Sequence, residues 1–153
     1  MLFLDINDFM KSDEPVLAFD FAVDLSQLDD AFSAVSISGK IKNVAGVFRF
    51  SATVQGQYAT VCDRCLDPVL LDLTAVLDTV IAPERSEDDS VIVTDGRIDL
   101  CRTIYDALVL SLPSKILCCP DCRGLCSMCG RNLNDENCEC FHGTADSPLV
   151  VSE

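Results

Sequence analysis

Residues 116–140 read ILCCPDCRGLCSMCGRNLNDENCEC, and they hold seven of the ten cysteines in a chain of 153 residues. Thiols at this density are bridged, catalytic or bound to metal, and the compartment helps to decide which. The opening residues MLFLDINDFMKSDE have a short apolar run, no basic start and early acids, so they do not read as a secretory signal. No run approaches the ~20 apolar residues that a membrane span needs. The expectation is a cytoplasmic protein with no membrane partner. Thiols there stay reduced, a disulfide framework is disfavoured, and dense cysteines point to metal.

The spacing sharpens this. Cys126-Ser127-Met128-Cys129 is a zinc-knuckle pair: two thiolates two residues apart converge on one ion from a tight turn, whose backbone N–H groups can bond the sulfurs. Gly130 follows directly and tolerates the left-handed backbone such a turn requires. Cys138 and Cys140 complete a four-thiolate set with Cys126 and Cys129, and NLNDEN between the pairs reads as a polar reversal. A second pair, Cys62-Asp63-Arg64-Cys65, needs two partners. Cys122 with either Cys118 or Cys119 can supply them, and spacing alone leans to Cys119, which completes a third Cys-x-x-Cys. Two Zn2+ ions are therefore expected. Cys101 is read as a small packing residue of a helix.

Four thiolates leave an ion no open coordination position, so such sites build structure and do not activate water. There is no phosphate loop or nucleophile constellation, and the single histidine, His142, reads as a tail residue. Neither an enzyme nor a small-molecule substrate is expected. The net charge of −14 disfavours diffuse contact with phosphate or anionic lipid. Arg64, Lys115, Arg123 and Arg131 lie at or near cysteines, where they either form a local basic surface or offset the charge of thiolate centres.

Outward from the cysteines, period-two patterning dominates. Residues 1–15 read as a weakly structured lead-in, Val16 to Leu25 as a first strand, and SQLDDAFSA as a turn or short helix. In VSISGKIKN, Ile37 and Ile41 share one face; in VFRFSATVQ, Phe48, Phe50, Ala52 and Val54 do, with Ala45-Gly46 turning between the two runs. Gly56 marks a bulge or bend, after which the strand resumes and delivers Cys62 to a hairpin tip. From Pro68 a long strand places Val69, Leu71, Leu73, Ala75 and Leu77 on one face. The acidic segment PERSEDDS reads as a solvated loop, and VIVTDGRIDL as a strand, an Asp-Gly turn and a helix entry. Asp99 is a good N-cap, and Leu100, Ile104, Ala107, Leu108 and Leu112 recur at helical spacing up to Pro113.

The predicted fold class is α+β: an antiparallel sheet or open barrel-like meander, one amphipathic helix at 99–112, and a C-terminal zinc-knuckle module. A β-rich core is expected over residues 1–115, a cysteine-rich module over 116–140 packed on the hairpin tip 62–65, and a flexible tail over 141–153.

CDRCLDPV, then IDL with LVLSLP, then CCPDCRGLCSMCGRNLN with CEC resemble the YceD-like family of large ribosomal RNA subunit accumulation proteins. The resemblance spans roughly Thr60 to Cys140. It implies a cytoplasmic, non-catalytic role in accumulation or processing of large-subunit ribosomal RNA, with ribosome assembly factors or the precursor RNA as partners. Carried over by motif position, the implied metal ligands are Cys62, Cys65, Cys118, Cys122, Cys126, Cys129, Cys138 and Cys140. Cys118 replaces Cys119 because the family has three residues between the cysteines before GLC. Family members continue into a partly basic helical tail, whereas residues 141–153 hold no Lys or Arg. The alternatives are a zinc-dependent protein-interaction adaptor outside ribosome biogenesis and a thiol redox switch. Oligomeric state is left open.

Overall fold

The alternating segments fold into strands in a computed structural model that describes residues 2–82 and 91–140. The elements run β1 (Phe3–Asp5), α1 (Asn7–Lys11), β2 (Val16–Val23), β3 (Phe32–Val44), β4 (Val47–Val61), β5 (Pro68–Ala82), β6 (Val91–Thr94), β7 (Arg97–Asp99) and α2 (Leu100–Ser111). The acidic loop 83–90 and the tail 141–153 with His142, both read from sequence, lie outside the described residues.

The seven strands hydrogen-bond in the order β1-β7-β6-β5-β4-β3-β2. Antiparallel pairing joins β1 to β7, β7 to β6, β3 to β4 and β2 to β3. One pair departs from the expected antiparallel sheet: β5 and β6 run parallel, with Ile81 beside Val91.

The expected hairpins form with the expected faces. Val44 faces Val47 across Ala45 and Gly46, whose φ angles of 54° and 85° give the doubly left-handed turn that suits strand twist. Ile37, Ile41, Phe50 and Val54 are fully buried, while Ser36 and Lys40 alternate outward. The bulge sits on β3, between Ser33 and Ser36, and Gly56 lies on the strand facing it. A Cβ on Gly56 would crowd Val35 Cγ2 at 3.1 Å and touch Leu108 Cδ1 of α2 at 3.4 Å, so a glycine relieves the bulge. The segment SQLDDAFSA forms turns, and β3 starts within it at Phe32.

Two expectations are corrected. The stretch read as a weakly structured lead-in over 1–15 instead holds β1 and α1 within its described residues. Leu4 pairs with Ile98, the Ile6 N–H donates to Gly96 O at 2.9 Å, and Ile6 and Phe9 are 0% and 5% exposed. Three-residue and five-residue elements carry no readable period; distant pairing fixes them. Likewise the Asp95-Gly96 turn does not lead straight into a helix. With φ of 52° and 71° it closes a β6–β7 hairpin, and Arg97–Asp99 is a strand before α2 begins.

Helix α2 matches its predicted span. The Asp99 side chain accepts from Arg102 N–H at 3.1 Å, satisfying a first-turn donor. Leu100, Ile104 and Leu108 are fully buried, each such side chain contributing about 1.5–3 kcal/mol by leaving water. Tyr105 meets Phe32 edge-on with ring centroids 5.8 Å apart, which seats the helix on β3. Cys101 is 8% exposed and its Sγ accepts the Leu2 N–H at 3.2 Å, a packing role.

The chain divides into two compact units. One holds the sheet and both helices. The other consists of the tip Val61–Pro68 together with the described residues from 115 to 140, so the hairpin tip groups with the cysteine-rich segment.

Candidate metal centres

Both cysteine sets lie in the second unit, and its local turns explain how they converge. After Cys65, Leu66 adopts φ 62°; after Cys129, Gly130 adopts φ 73°. These left-handed residues close equivalent turns: Leu66 N–H reaches Cys62 O at 3.0 Å, and Gly130 N–H reaches Cys126 O at 2.9 Å. Inside each turn a backbone N–H points at the first sulfur, Arg64 N to Cys62 Sγ at 3.5 Å and Met128 N to Cys126 Sγ at 3.4 Å. The knuckle expected at Cys126 therefore has a close counterpart at Cys62.

Cys62, Cys65, Cys118 and Cys122 form one group, and Cys126, Cys129, Cys138 and Cys140 a second; within each, all sulfurs lie within 4.8 Å of one another. Cys62 Sγ is 3.7 Å from Cys122 Sγ, and Cys65 Sγ is 3.5 Å from Cys118 Sγ. A tetrahedral ion with metal–sulfur bonds near 2.3 Å has sulfur–sulfur edges of about 3.8 Å, so these spacings fit a thiolate-bound metal. Each group can hold one metal ion. Cys119 stands outside the first group, its Sγ 3.8 Å from that of Cys118.

Protonation follows from the same geometry. Burial raises the Cys62 thiol, but the backbone N–H groups of Arg64, Cys65 and Cys118 outweigh it and bring it down to about 6. Backbone N–H groups of Cys129 and Met128 likewise lower Cys126 to about 6. Their neighbours move the other way: burial raises Cys65, and the Cys129 thiol pushes Cys140 up to about 12. Cys118 also rises to about 12, burial and the neighbouring cysteines outweighing the favourable contact with Cys65. Cys138 is raised, first by Cys126. Without a cation each set sustains few thiolates together; a bound cation removes that limit.

Several supporting residues escaped sequence reasoning. Asn134 Nδ2 donates to Cys122 Sγ at 3.3 Å and to Asn132 Oδ1 at 2.9 Å, while its Oδ1 accepts Arg123 N–H at 2.8 Å. Asn132 Nδ2 donates to Asp67 Oδ2 at 2.8 Å, and that carboxylate also accepts from Cys65 Sγ. NLNDEN is thus more than a reversal, because residues following the Cys126–Cys129 turn support the first cysteine group. Gly124, at φ 77°, allows a close approach: a Cβ there would sit 3.0 Å from Arg64 O, which accepts Leu125 N–H at 3.0 Å. Asp63 clamps Ile116, accepting its N–H at 2.6 Å and returning its own N–H to Ile116 O at 2.8 Å. The only advance signal was polar and glycine residues bunched around cysteines.

The basic residues are largely engaged inside the unit. Arg64 NH1 donates to Cys122 O at 2.8 Å, Arg123 NH1 to Asn137 Oδ1 at 3.2 Å, and Arg131 faces Glu136 at 3.7 Å. These contacts brace the cysteine-bearing loops.

Fold and site together define an α+β protein with two four-cysteine groups, one shared by the hairpin tip and the segment after α2, the other wholly within that segment. Residues 50–149 match the family described as large ribosomal RNA subunit accumulation protein YceD, and the chain belongs to that family. It is 33% identical over 114 residues to an uncharacterized protein of Mycobacterium tuberculosis, covering 70% of this chain and 55% of the relative. A Mycobacterium leprae uncharacterized protein is 32% identical over 106 residues, 65% of this chain and 49% of the relative. The Zea mays protein named large ribosomal RNA subunit accumulation protein YCED homolog 1, chloroplastic, is 40% identical over 47 residues, 30% of this chain and 16% of its own length. The chain spans about half the length of the mycobacterial relatives. No solved structure gives a significant match. Among the described residues no helix is long and apolar enough to cross a membrane.

Proposed function

We propose that each four-cysteine group holds one zinc ion, and that the chain is a non-catalytic factor supporting accumulation of large-subunit ribosomal RNA during ribosome assembly. The observation that carries the metal reading is the pair of tetrahedron-sized sulfur clusters. Tetrahedral all-thiolate sites suit zinc, which has no redox chemistry and needs none of its positions left open for structural work. Zinc bound there contributes folding free energy to a unit with little other secondary structure among its described residues. Ten free cysteines suit a reducing compartment, the cytoplasm. The role in ribosomal RNA accumulation rests on family membership.

The direct contact is a protein of the assembling particle. A net charge of −14 opposes a naked phosphate backbone, and the arginines beside the cysteines are occupied within their own unit. Depletion in the source cell, followed by measurement of precursor and mature large-subunit RNA, tests the role. Mature large-subunit RNA should fall relative to small-subunit RNA, and the protein should sediment with large-subunit precursors. Unchanged RNA and sedimentation at the free-protein position would refute it.

A further inference from the structure

We propose that Cys119 is a fifth, exchangeable thiol of the first metal centre, trading places with Cys118 on the ion. The proposal rests on the zinc reading above. Three of the four sulfurs in the first group are deeply held: Cys62, Cys65 and Cys122 are 0%, 4% and 1% exposed. Cys118 is the exposed member, and the thiol beside it in the chain, Cys119, is exposed too. Their sulfurs are 3.8 Å apart, about one edge of a thiolate tetrahedron, so the entering sulfur needs to move only about that far to take the vacated position.

Backbone geometry supports the alternative ligand. Cys122 N–H donates to Cys119 O at 3.2 Å, so Cys119-Pro120-Asp121-Cys122 is itself a closed turn with the spacing of a metal-binding pair. Cys118 with Cys122 and Cys119 with Cys122 are therefore two ligand registers of one segment. The exchange is balanced: Cys119 Sγ gives up its proton as it takes the position, and Cys118 Sγ gains one as it leaves. No electron moves, and the ion keeps four thiolates before and after. The first centre would thereby have a second exposed thiol able to hold a metal as it enters or leaves.

The test uses the full chain loaded with cobalt(II), whose sulfur-to-metal charge-transfer absorption scales with the number of bound thiolates. Wild type, Cys118→Ser, Cys119→Ser and the double variant are compared for metal content and absorption. Expected are two tetrathiolate metals in wild type and in both single variants, and loss of one only in the double variant. Release of the first metal to a chelator should be slower in Cys119→Ser than in wild type. If Cys118→Ser loses a metal as the double variant does, Cys119 does not substitute and the proposal fails while the two-site reading survives. If Cys119→Ser alone loses a metal, Cys119 is an obligatory ligand and exchange is equally overturned. Wild type binding no cobalt would overturn both readings together.

Discussion

Asn134→Asp isolates one supporting contact of the first candidate metal centre. The substitution is nearly isosteric. It keeps the oxygen that accepts Arg123 N–H at 2.8 Å but replaces the amide that donates to Cys122 Sγ at 3.3 Å and to Asn132 Oδ1 at 2.9 Å. The lost bond to Asn132 is present with or without metal and costs folding stability about 1 kcal/mol. The lost bond to sulfur matters most when Cys122 is a thiolate, as it is on an ion. Hydrogen bonds to charged acceptors contribute roughly 1.5–3 kcal/mol, and every 1.4 kcal/mol is tenfold in affinity. Asn134 is only half-buried, so the lower end of that range applies, and the first site should weaken by about 10-fold, the low end of what residues that orient ligands contribute. The new carboxylate also places negative charge beside a thiolate centre. Competition against a chelator of known affinity, read as two successive zinc-release steps, gives the answer. One step should shift and the other stay. Two unshifted steps would show that Asn134 does not support the Cys122 thiolate.

Further outcomes follow from the same geometry. Leu108→Ala removes a fully buried side chain of α2 and should lower the stability of the sheet-bearing unit by about 2–5 kcal/mol in urea unfolding, with metal content per chain unchanged. Metal affinity should rise with pH: around pH 7 the raised thiols Cys65, Cys118, Cys138 and Cys140 must shed protons to bind. Releasing at least two protons per site gives roughly 100-fold tighter binding per pH unit as a minimum, steepening below pH 6 as Cys62 and Cys126, lowered to about 6, protonate as well. Chelator competition between pH 5.5 and 8 measures this slope, and a flat profile would contradict thiolate ligation.

Some of this was legible in sequence and some was not, for physical reasons. Long alternating strands such as β3 and β4 bury one face, so period-two patterning revealed both their existence and their orientation. Asp99 and the spacing of Ile104 and Leu108 similarly marked α2, since capping and amphipathicity are local. The short β1, α1 and β7 were invisible because their stability comes from pairing across the chain: Leu4 with Ile98, and Ile6 with Gly96. The parallel β5–β6 pairing is likewise a property of topology that no local pattern encodes. At the site, the second cysteine group could be assembled from spacing alone, all of it within Cys126–Cys140. The first could not: spacing leaned to Cys119, while the sulfur positions group Cys118 with Cys62, Cys65 and Cys122. The difference depends on how the segment after Cys118 turns, a matter of tertiary geometry. Asn132 and Asn134 were hidden for the same reason, because their partners, Asp67 and Cys122, lie in other segments of the unit.

Elemental analysis of the purified full chain, with metal counted against protein, addresses the two-zinc assignment directly. Two zinc ions per chain are expected, falling to one in Cys126→Ser. A chain that purifies folded, with all ten cysteines reduced and no bound metal, would contradict it.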